Sequence, residues 1–470
     1  MTQHIAIIGG GITGLATAYY LQTEIIRKRL PLRFTVVEAS SRWGGLVETV
    51  RKDGFIVEKG PDSFLERKKV ATQLCMDLGL KDELVNNQVG QAYIYHDQQL
   101  CAVPSDSVMG IPTNLTSFLK TEFISTEGKA RGLEDLIRSP KLVQDDQSVG
   151  AFFRHRFGDE MVDRMIEPLI SGVYGSSIED LSLEATFPQY PKLLSRYGSL
   201  IKALTKTRAA TPSNQGMFQT LKSGLATMVE KIVESLPANT LKTNLTLTKL
   251  VKTDEGYELY FHNGERMLAQ MVVLTIPYPQ VKRILQPHLE HKQFNQSKPS
   301  SVAIVALAFD EDAIDIPFAG TGFLVPRGSL LSLTACTWVH KKWPHTVPAG
   351  KGLLRCFVGR PGTDEIVDAS DDEIVEIVIR DLQQIQGIQI RQDPRFVIVN
   401  RMKNVRPTYA VGHKRWVKDV FQQIEKYFPK VYLAGSSYQG IGLPDCIKQG
   451  REVVATIVDF FTKKKEVAIH

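Results

Sequence analysis

Gly9, Gly11 and Gly14 stand at the spacing G-x-G-x-x-G directly after the apolar run Ile5-Ala6-Ile7-Ile8, and a helical pattern follows over 15–21. Glycines at those places let a strand turn tightly into a helix, let phosphates approach the backbone, and let helix pack on strand. Gly10, Ile12 and Thr13 complete the turn, at a helix start whose free N–H groups and macrodipole favour an anion. A second apolar strand over 34–38 ends in Glu38, about 20 residues on, as a dinucleotide site requires. A carboxylate there suits the two ribose hydroxyls of an adenosine and would repel a 2′-phosphate. No other G-x-G-x-x-G follows a strand. One dinucleotide site without a second for a nicotinamide nucleotide points to a bound FAD whose electrons leave by another route.

Further segments can line such a ligand. In Arg42-Trp43-Gly44-Gly45 the glycine pair lets backbone lie against it and Arg42 can reach phosphate. Gly60-Pro61-Asp62-Ser63 is a turn after a strand, and the basic cluster Arg67-Lys68-Lys69 opens a helix predicted over 64–80. Glu167-Pro168-Leu169-Ile170-Ser171-Gly172-Val173-Tyr174-Gly175 reads as a helix with a glycine stop.

These segments must be held by elements spread along the chain. Residues 91–205 carry short apolar stretches and helical patterns and predict a mostly helical insertion. The polar 206–216 predicts a linker. After it come a helix over 217–236, a strand over 245–250, a hairpin turning at Asn263-Gly264 and a buried strand over 271–277. Strand candidates crowd 299–360, a helix follows over 371–386, and the chain closes with Val431-Tyr432-Leu433-Ala434-Gly435, a glycine-rich turn and a helix over 445–461. The expected fold class is α/β (α+β overall), with three parts. Residues 1–50, 216–285 and 425–470 form the dinucleotide domain, 51–90, 206–215 and 286–424 an inserted mixed-sheet substrate domain, and 91–205 the helical domain.

With 470 residues the chain buries a large core. Its formal charge of +6 comes from scattered basic residues, which argues against nucleic acid and fits an acidic small substrate or an anionic membrane surface. The five cysteines form no CxxC and read as reduced thiols of a cytoplasmic protein. The first strand begins almost at once, leaving no room for a signal peptide, and no apolar run approaches the ~20 residues of a membrane helix. The expectation is a cytoplasmic protein, at most peripheral to a membrane. His288 and His291 lack a completing ligand set, so no metal is expected.

Together these stretches resemble the FAD-dependent amine oxidase/protoporphyrinogen oxidase superfamily nearly end to end, and within it the porphyrinogen oxidases of Gram-positive bacteria. The narrower likeness rests on Gly60 to Lys69, Pro168 to Tyr174, Ala335-Cys336-Thr337-Trp338, Lys342-Trp343-Pro344-His345 and Gly440-Ile441-Gly442-Leu443-Pro444-Asp445-Cys446-Ile447. The resemblance implies a Rossmann-like FAD domain and non-covalent FAD. It implies oxidation of coproporphyrinogen III, or protoporphyrinogen IX, by O₂ with release of H₂O₂ in haem synthesis. A ferrochelatase-type protein would accept the product. It further implies that Gly9 to Gly14 and Glu38 bind pyrophosphate and ribose, that Arg42, Gly44, Gly45 and Gly60 to Ser63 line the flavin, and that Leu247 meets the adenine. Gly435, Ile441, Gly442 and Leu443 would lie by the pyrophosphate and isoalloxazine, and Lys68 and Val173 by the substrate. Arg67, Lys68 and Lys69 are the candidate cations for substrate carboxylates, and Tyr174 a candidate pocket wall. The resemblance assigns no acid or base; the flavin N5 does the chemistry. Flavin amine oxidases usually carry a Lys in the strand that here reads Ser301-Val302-Ala303-Ile304-Val305, so that branch fits less well. A carotenoid-type desaturase and a non-catalytic FAD-binding regulatory protein are the other readings.

Overall fold

The structure, a computed structural model, describes residues 2–88, 90–104, 106–139, 145–207, 216–286, 299–360 and 362–467. The strand Gln3–Ile8 is the middle of a five-stranded parallel sheet. On one side lie Leu32–Val37 and Leu241–Lys242, on the other Met271–Leu274 and Val431–Leu433. The central runs are apolar without alternation because both faces are covered. Ile5, Ile7, Met271 and Val273 pack in one core with the helices Ile12–Lys28, Ala226–Ser235 and Leu443–Val467. Ala6, Ile8, Val272 and Leu274 face another core, formed with the Leu247–Ala269 strands and the helix His413–Tyr427. The chain thus builds the sheet outward first to one side of Gln3–Ile8 and then to the other. That reversal opens a crevice beyond the carboxyl ends of Gln3–Ile8 and Met271–Leu274, where such folds bind ligands.

A seven-stranded sheet supplies the second layer, in the order Phe396–Arg406, Ser300–Asp310, Lys351–Val358, Leu333–Trp338, Gly322–Leu324, Ala92–His96, Gln99–Ala102. Its pairs are antiparallel except Gly322–Leu324 with Ala92–His96, so the sheet is mixed as expected. The helix Asp371–Gln383 packs on it and begins with a capping box between Ser370 and Glu373. The helices between Leu115 and Thr207 surround a third core, inside which Arg156 and Asp135 form a fully buried ion pair at 2.6 Å.

Several sequence expectations need correction. The residues after 91 are not helical at first: Ala92–His96 and Gln99–Ala102 complete the large sheet, and helices start only at Leu115. Residues 64–80 hold a two-residue strand, Phe64–Leu65, before the helix Lys69–Asp77, so Arg67 and Lys68 of the basic cluster sit on the turn between them and Lys69 opens the helix. Residues 217–236 begin with the strand Phe218–Leu221, which pairs with Phe64–Leu65 and Leu84–Asn86 and delays the helix to Ala226–Ser235. In both places a short strand takes its hydrogen bonds from distant segments, which local periodicity cannot register. Most of the expected linker, and both His288 and His291, lie outside the described residues.

Candidate active site

The turn after Gln3–Ile8 is built as a phosphate cradle. Gly9 has φ +111°, a backbone conformation that side chains rarely adopt. A Cβ on Gly14 would stand 1.9 Å from the Gly9 carbonyl oxygen, so helix and strand touch there. Gly11 differs: its φ of −72° suits any residue, and a Cβ would meet only the Gly45 Cα, at 3.9 Å. What Gly11 preserves is open space. The helix Ile12–Lys28 starts at Gly11 with no side-chain cap and no acidic residue in its first turn, although Asp or Ser is the ordinary solution. Uncapped N–H groups beside a vacant backbone approach are what a pyrophosphate needs.

Glu38 follows directly on Leu32–Val37 and reaches back to this turn. Its Oε2 accepts from the Gly10 N–H at 2.7 Å, and its Oε1 from the Ser40 N–H and hydroxyl, each at 2.8 Å. Opposite lies the 42–45 segment. The Gly44 N–H donates to the Gly10 carbonyl at 2.8 Å, and the Trp43 ring covers Gly10. Arg42 is drawn into its own loop, donating to the Gly45 carbonyl at 2.6 Å and pairing with Glu48 at 3.0 Å. Leu247 is buried at the start of its strand, where the register slips before Lys249.

Gly60 packs so closely that a Cβ would lie 1.9 Å from the Leu46 carbonyl oxygen. Asp62 turns into an ionic cluster. Its Oδ2 accepts from Lys342 Nζ at 2.8 Å and from the Trp343 indole N–H at 3.2 Å, and lies 3.6 Å from Arg355. The Ser63 hydroxyl donates to its other oxygen at 2.8 Å. Burial alone would raise the Asp62 pKa, but Lys342 and Arg355 outweigh it and hold the carboxyl well below the usual range. Arg355 also donates to the Gly60 carbonyl at 2.6 Å, and Asn400 to the Lys59 carbonyl at 2.7 Å, so the large sheet is tied to this turn. Nearby, burial pushes Glu58 up to about 7, despite hydrogen bonds from the Leu225 N–H and Thr49 hydroxyl.

The far wall is the glycine-rich loop before Leu443–Val467. Gly435 has φ +130°, and a Cβ there would approach the Thr275 carbonyl oxygen at 3.7 Å and Thr13 Oγ1 at 3.9 Å, placing this loop over the cradle. The Tyr409 hydroxyl donates to the Ser436 carbonyl at 2.7 Å and accepts from the Gly440 N–H at 2.6 Å, clamping both ends of the loop. Ile441 packs on the helical core, and a Cβ on Gly442 would lie 3.1 Å from the Asp445 carboxylate. Cys446 is buried, and burial pushes its thiol up to about 11 despite the Thr13 hydroxyl. A thiol held neutral is a poor nucleophile, which fits a cofactor held without a covalent bond.

Lys68 Nζ sits between the two Asp445 oxygens, at 2.6 and 2.7 Å, bridging the basic turn to the start of the last helix. Lys69 pairs with Glu66 at 2.8 Å, while Arg67 is exposed and makes no ion pair among the described residues. Tyr174 is turned inward on Phe187, and burial pushes its phenol up to about 12, with Asp445 adding to the rise and Arg67 opposing it. Val173 beside it is 54% exposed, an aliphatic surface facing open space. The expected cofactor residues are thus gathered around one crevice, with the basic turn and the Glu167–Tyr174 helix end at its margin. Sequence reasoning missed Thr275, Tyr409, Lys342 and Arg355 as its supports. Each acts on partners 27 or more positions away in the chain, a pairing that local pattern does not register.

The fold and cradle define a FAD-binding oxidoreductase. The sequence signature of the flavin containing amine oxidoreductases matches residues 12–458, and the chain belongs to that family. It is 44% identical to the coproporphyrinogen III oxidase of Bacillus subtilis (strain 168), over 97% of this chain and 98% of that one. It is 38% identical to the enzyme of the same name from Staphylococcus aureus (strain NCTC 8325 / PS 47), over 97% and 99%. A crystal structure from Exiguobacterium sp. 255-15, described as a protoporphyrinogen oxidase, superposes with a TM-score of 0.89 at 36% identity, covering 97% of this chain and 99% of that one.

Proposed function

We propose that this chain oxidises coproporphyrinogen III to coproporphyrin III with FAD and O₂, as a step of haem synthesis. The observation that carries the reading is the end-to-end likeness to enzymes named for that reaction, 44% over 466 residues in the first case. The uncapped cradle at Gly11 is the chain's own support for the cofactor.

When bound, FAD supplies the hydride acceptor for the reaction. The protein's part is placement. Gly9 to Gly14 hold the pyrophosphate and Glu38 the ribose; Arg42, Gly44, Gly45 and Gly60 to Ser63 line the cofactor on one side. Gly435, Ile441, Gly442 and Leu443 line it on the other, and Leu247 meets the adenine. Val173 and Tyr174 wall the macrocycle and would orient it toward the hydride acceptor that FAD supplies. Arg67, Lys68 and Lys69 offer positive charge to the carboxylates. Lys68 does so only by sharing itself with Asp445, which makes it the residue that senses both substrate and cofactor loop. No protein acid or base is assigned: the three protons that accompany the three hydrides, two of them from pyrrole N–H groups and one net from a meso carbon, leave to water. Six electrons and six protons leave the substrate in three steps, and three O₂ become three H₂O₂.

Among the described residues no helix is long and apolar enough to cross a membrane. The proposal places the enzyme in the cytoplasm, at most peripheral to a membrane, passing product to a ferrochelatase-type acceptor.

The test is a single turnover without oxygen. Coproporphyrinogen III should bleach the flavin absorbance of the holoenzyme by giving up the first two of its six electrons, porphyrin emission should follow only when air is admitted, and putrescine should do neither. Bleaching by the amine with none by the porphyrinogen would move the chain to the amine oxidases.

A further inference from the structure

The helix Glu167–Tyr174 ends at Gly175, in the left-handed conformation with φ +63°. Against this end lies the last residue of the Phe396–Arg406 strand. One Arg406 Nη donates to the Val173 carbonyl at 3.1 Å, and a Cβ on Gly175 would stand 2.3 Å from the guanidinium carbon. Ser300, which faces Arg406 in the sheet, donates its hydroxyl to the Gly175 carbonyl at 2.7 Å. The carbonyl end of a helix attracts a cation, and these contacts fix where the guanidinium sits.

Other cations of this region have their counter-charges. Lys68 is paired with Asp445, Lys69 with Glu66, Arg327 with Glu167, and Lys342 and Arg355 with Asp62. Arg360 donates to the carbonyls of Val325 and Leu333. Arg67 has no carboxylate partner among the described residues but lies in water. Arg406 is set into the protein, and burial lowers its pKa with no carboxylate among the described residues to offset that. The residue is nevertheless only half-buried, and its hydrogen bond to the Val173 carbonyl lies exposed, which leaves the fork within reach of an incoming group. A guanidinium carries five donors, of which the Val173 carbonyl takes one. Removing a charge from water without a partner is costly, and a carboxylate arriving in the plane of the fork would supply both charge and two parallel hydrogen bonds.

We infer that Arg406 anchors one rim carboxylate of the porphyrinogen, holding the macrocycle against the exposed face of Val173. The inference rests on the proposed substrate class. It adds a cation outside the basic turn, at the end of the Phe396–Arg406 strand. An arginine that only closed a helix end would give the same contacts to Val173 and Gly175, but would not change affinity for a carboxylate.

The experiment compares Arg406→Gln and Arg406→Lys with the wild-type holoenzyme. Glutamine keeps a donor for the Val173 carbonyl and removes the charge. A charge-assisted hydrogen bond of ordinary strength predicts that KM for coproporphyrinogen III rises about tenfold to a hundredfold, with kcat and FAD content kept. Affinity for coproporphyrin III, read by fluorescence titration, should fall by a similar factor, and lysine should restore part of both. Unchanged KM and unchanged product affinity in Arg406→Gln, with only a lower thermal midpoint, would reduce Arg406 to a helix-end support and overturn the inference. Absence of turnover in the wild type would instead strike at the proposed reaction. The titration still reads Arg406 in that case, because it needs only a four-carboxylate porphyrin.

Discussion

Gly11→Val should yield a folded protein that purifies without its yellow colour. At φ −72° and ψ 177° the backbone at this position is extended, which a β-branched residue adopts readily. A Cβ there meets only the Gly45 Cα, at 3.9 Å, an ordinary contact. Valine at a helix N-cap costs at most about 1 kcal/mol relative to glycine, and the thermal midpoint of the apoprotein should change little. The isopropyl group, however, would occupy the volume that the phosphates need and screen the first-turn N–H groups. Affinity for FAD should fall at least a hundredfold, about 3 kcal/mol, measured by titrating apoprotein with FAD. Full flavin occupancy with wild-type affinity would mean that the pyrophosphate does not lie at Gly11.

This cradle was legible because it is local. Strand, turn and helix start follow one another within a dozen residues, and each glycine has a distinct steric duty there. Glu38 was legible for the same reason: a strand of predictable length carries it back to the turn. Lys68 could be found as a cation but not as the partner of Asp445, since 377 positions separate them. The Asp62 cluster was hidden likewise, because its cations arrive from a strand and a short helix of the inserted sheet. No element is predicted over 396–427, yet a long strand and a helix occupy most of it. That strand alternates weakly, because its faces meet different neighbours: the Gly60 turn through Asn400, the helix end through Arg406. The expected helices over 64–80 and 217–236 form only in their later parts, Lys69–Asp77 and Ala226–Ser235, for a related reason: backbone partners elsewhere in the chain draw their first residues into strands.

Asp62→Ala is expected to be the most damaging single change at the site. It strands the largely buried Lys342 and Arg355 and removes the acceptor of the Trp343 indole N–H. Breaking one partner of a buried ionic cluster typically costs about 3–5 kcal/mol. A drop of several degrees in the thermal midpoint of the holoenzyme should follow. Asp62→Asn, which keeps a carbonyl acceptor, should lose less. The pH dependence gives a second reading. A carboxyl whose folded pKa is depressed contributes stability that is present above its unfolded pKa, near 4, and is lost as the pH falls through the folded value. The acid limb of wild-type stability should therefore be steeper than that of either variant. An Asp62→Ala enzyme with an unchanged midpoint would show that Asp62 does not hold the framework, whatever its FAD content.

The central claim is that the crevice oxidises a four-carboxylate porphyrinogen. Purified, FAD-loaded protein in air should be given chemically reduced coproporphyrinogen III and protoporphyrinogen IX in parallel. Porphyrin fluorescence would be followed, peroxide counted and the non-enzymatic rate subtracted. The account predicts three H₂O₂ per porphyrin and a kcat/KM for coproporphyrinogen III roughly tenfold or more above that for protoporphyrinogen IX, the difference that one added charge-assisted contact would give. A higher kcat/KM for protoporphyrinogen IX would contradict the substrate, and no rate above background for either would contradict the reaction.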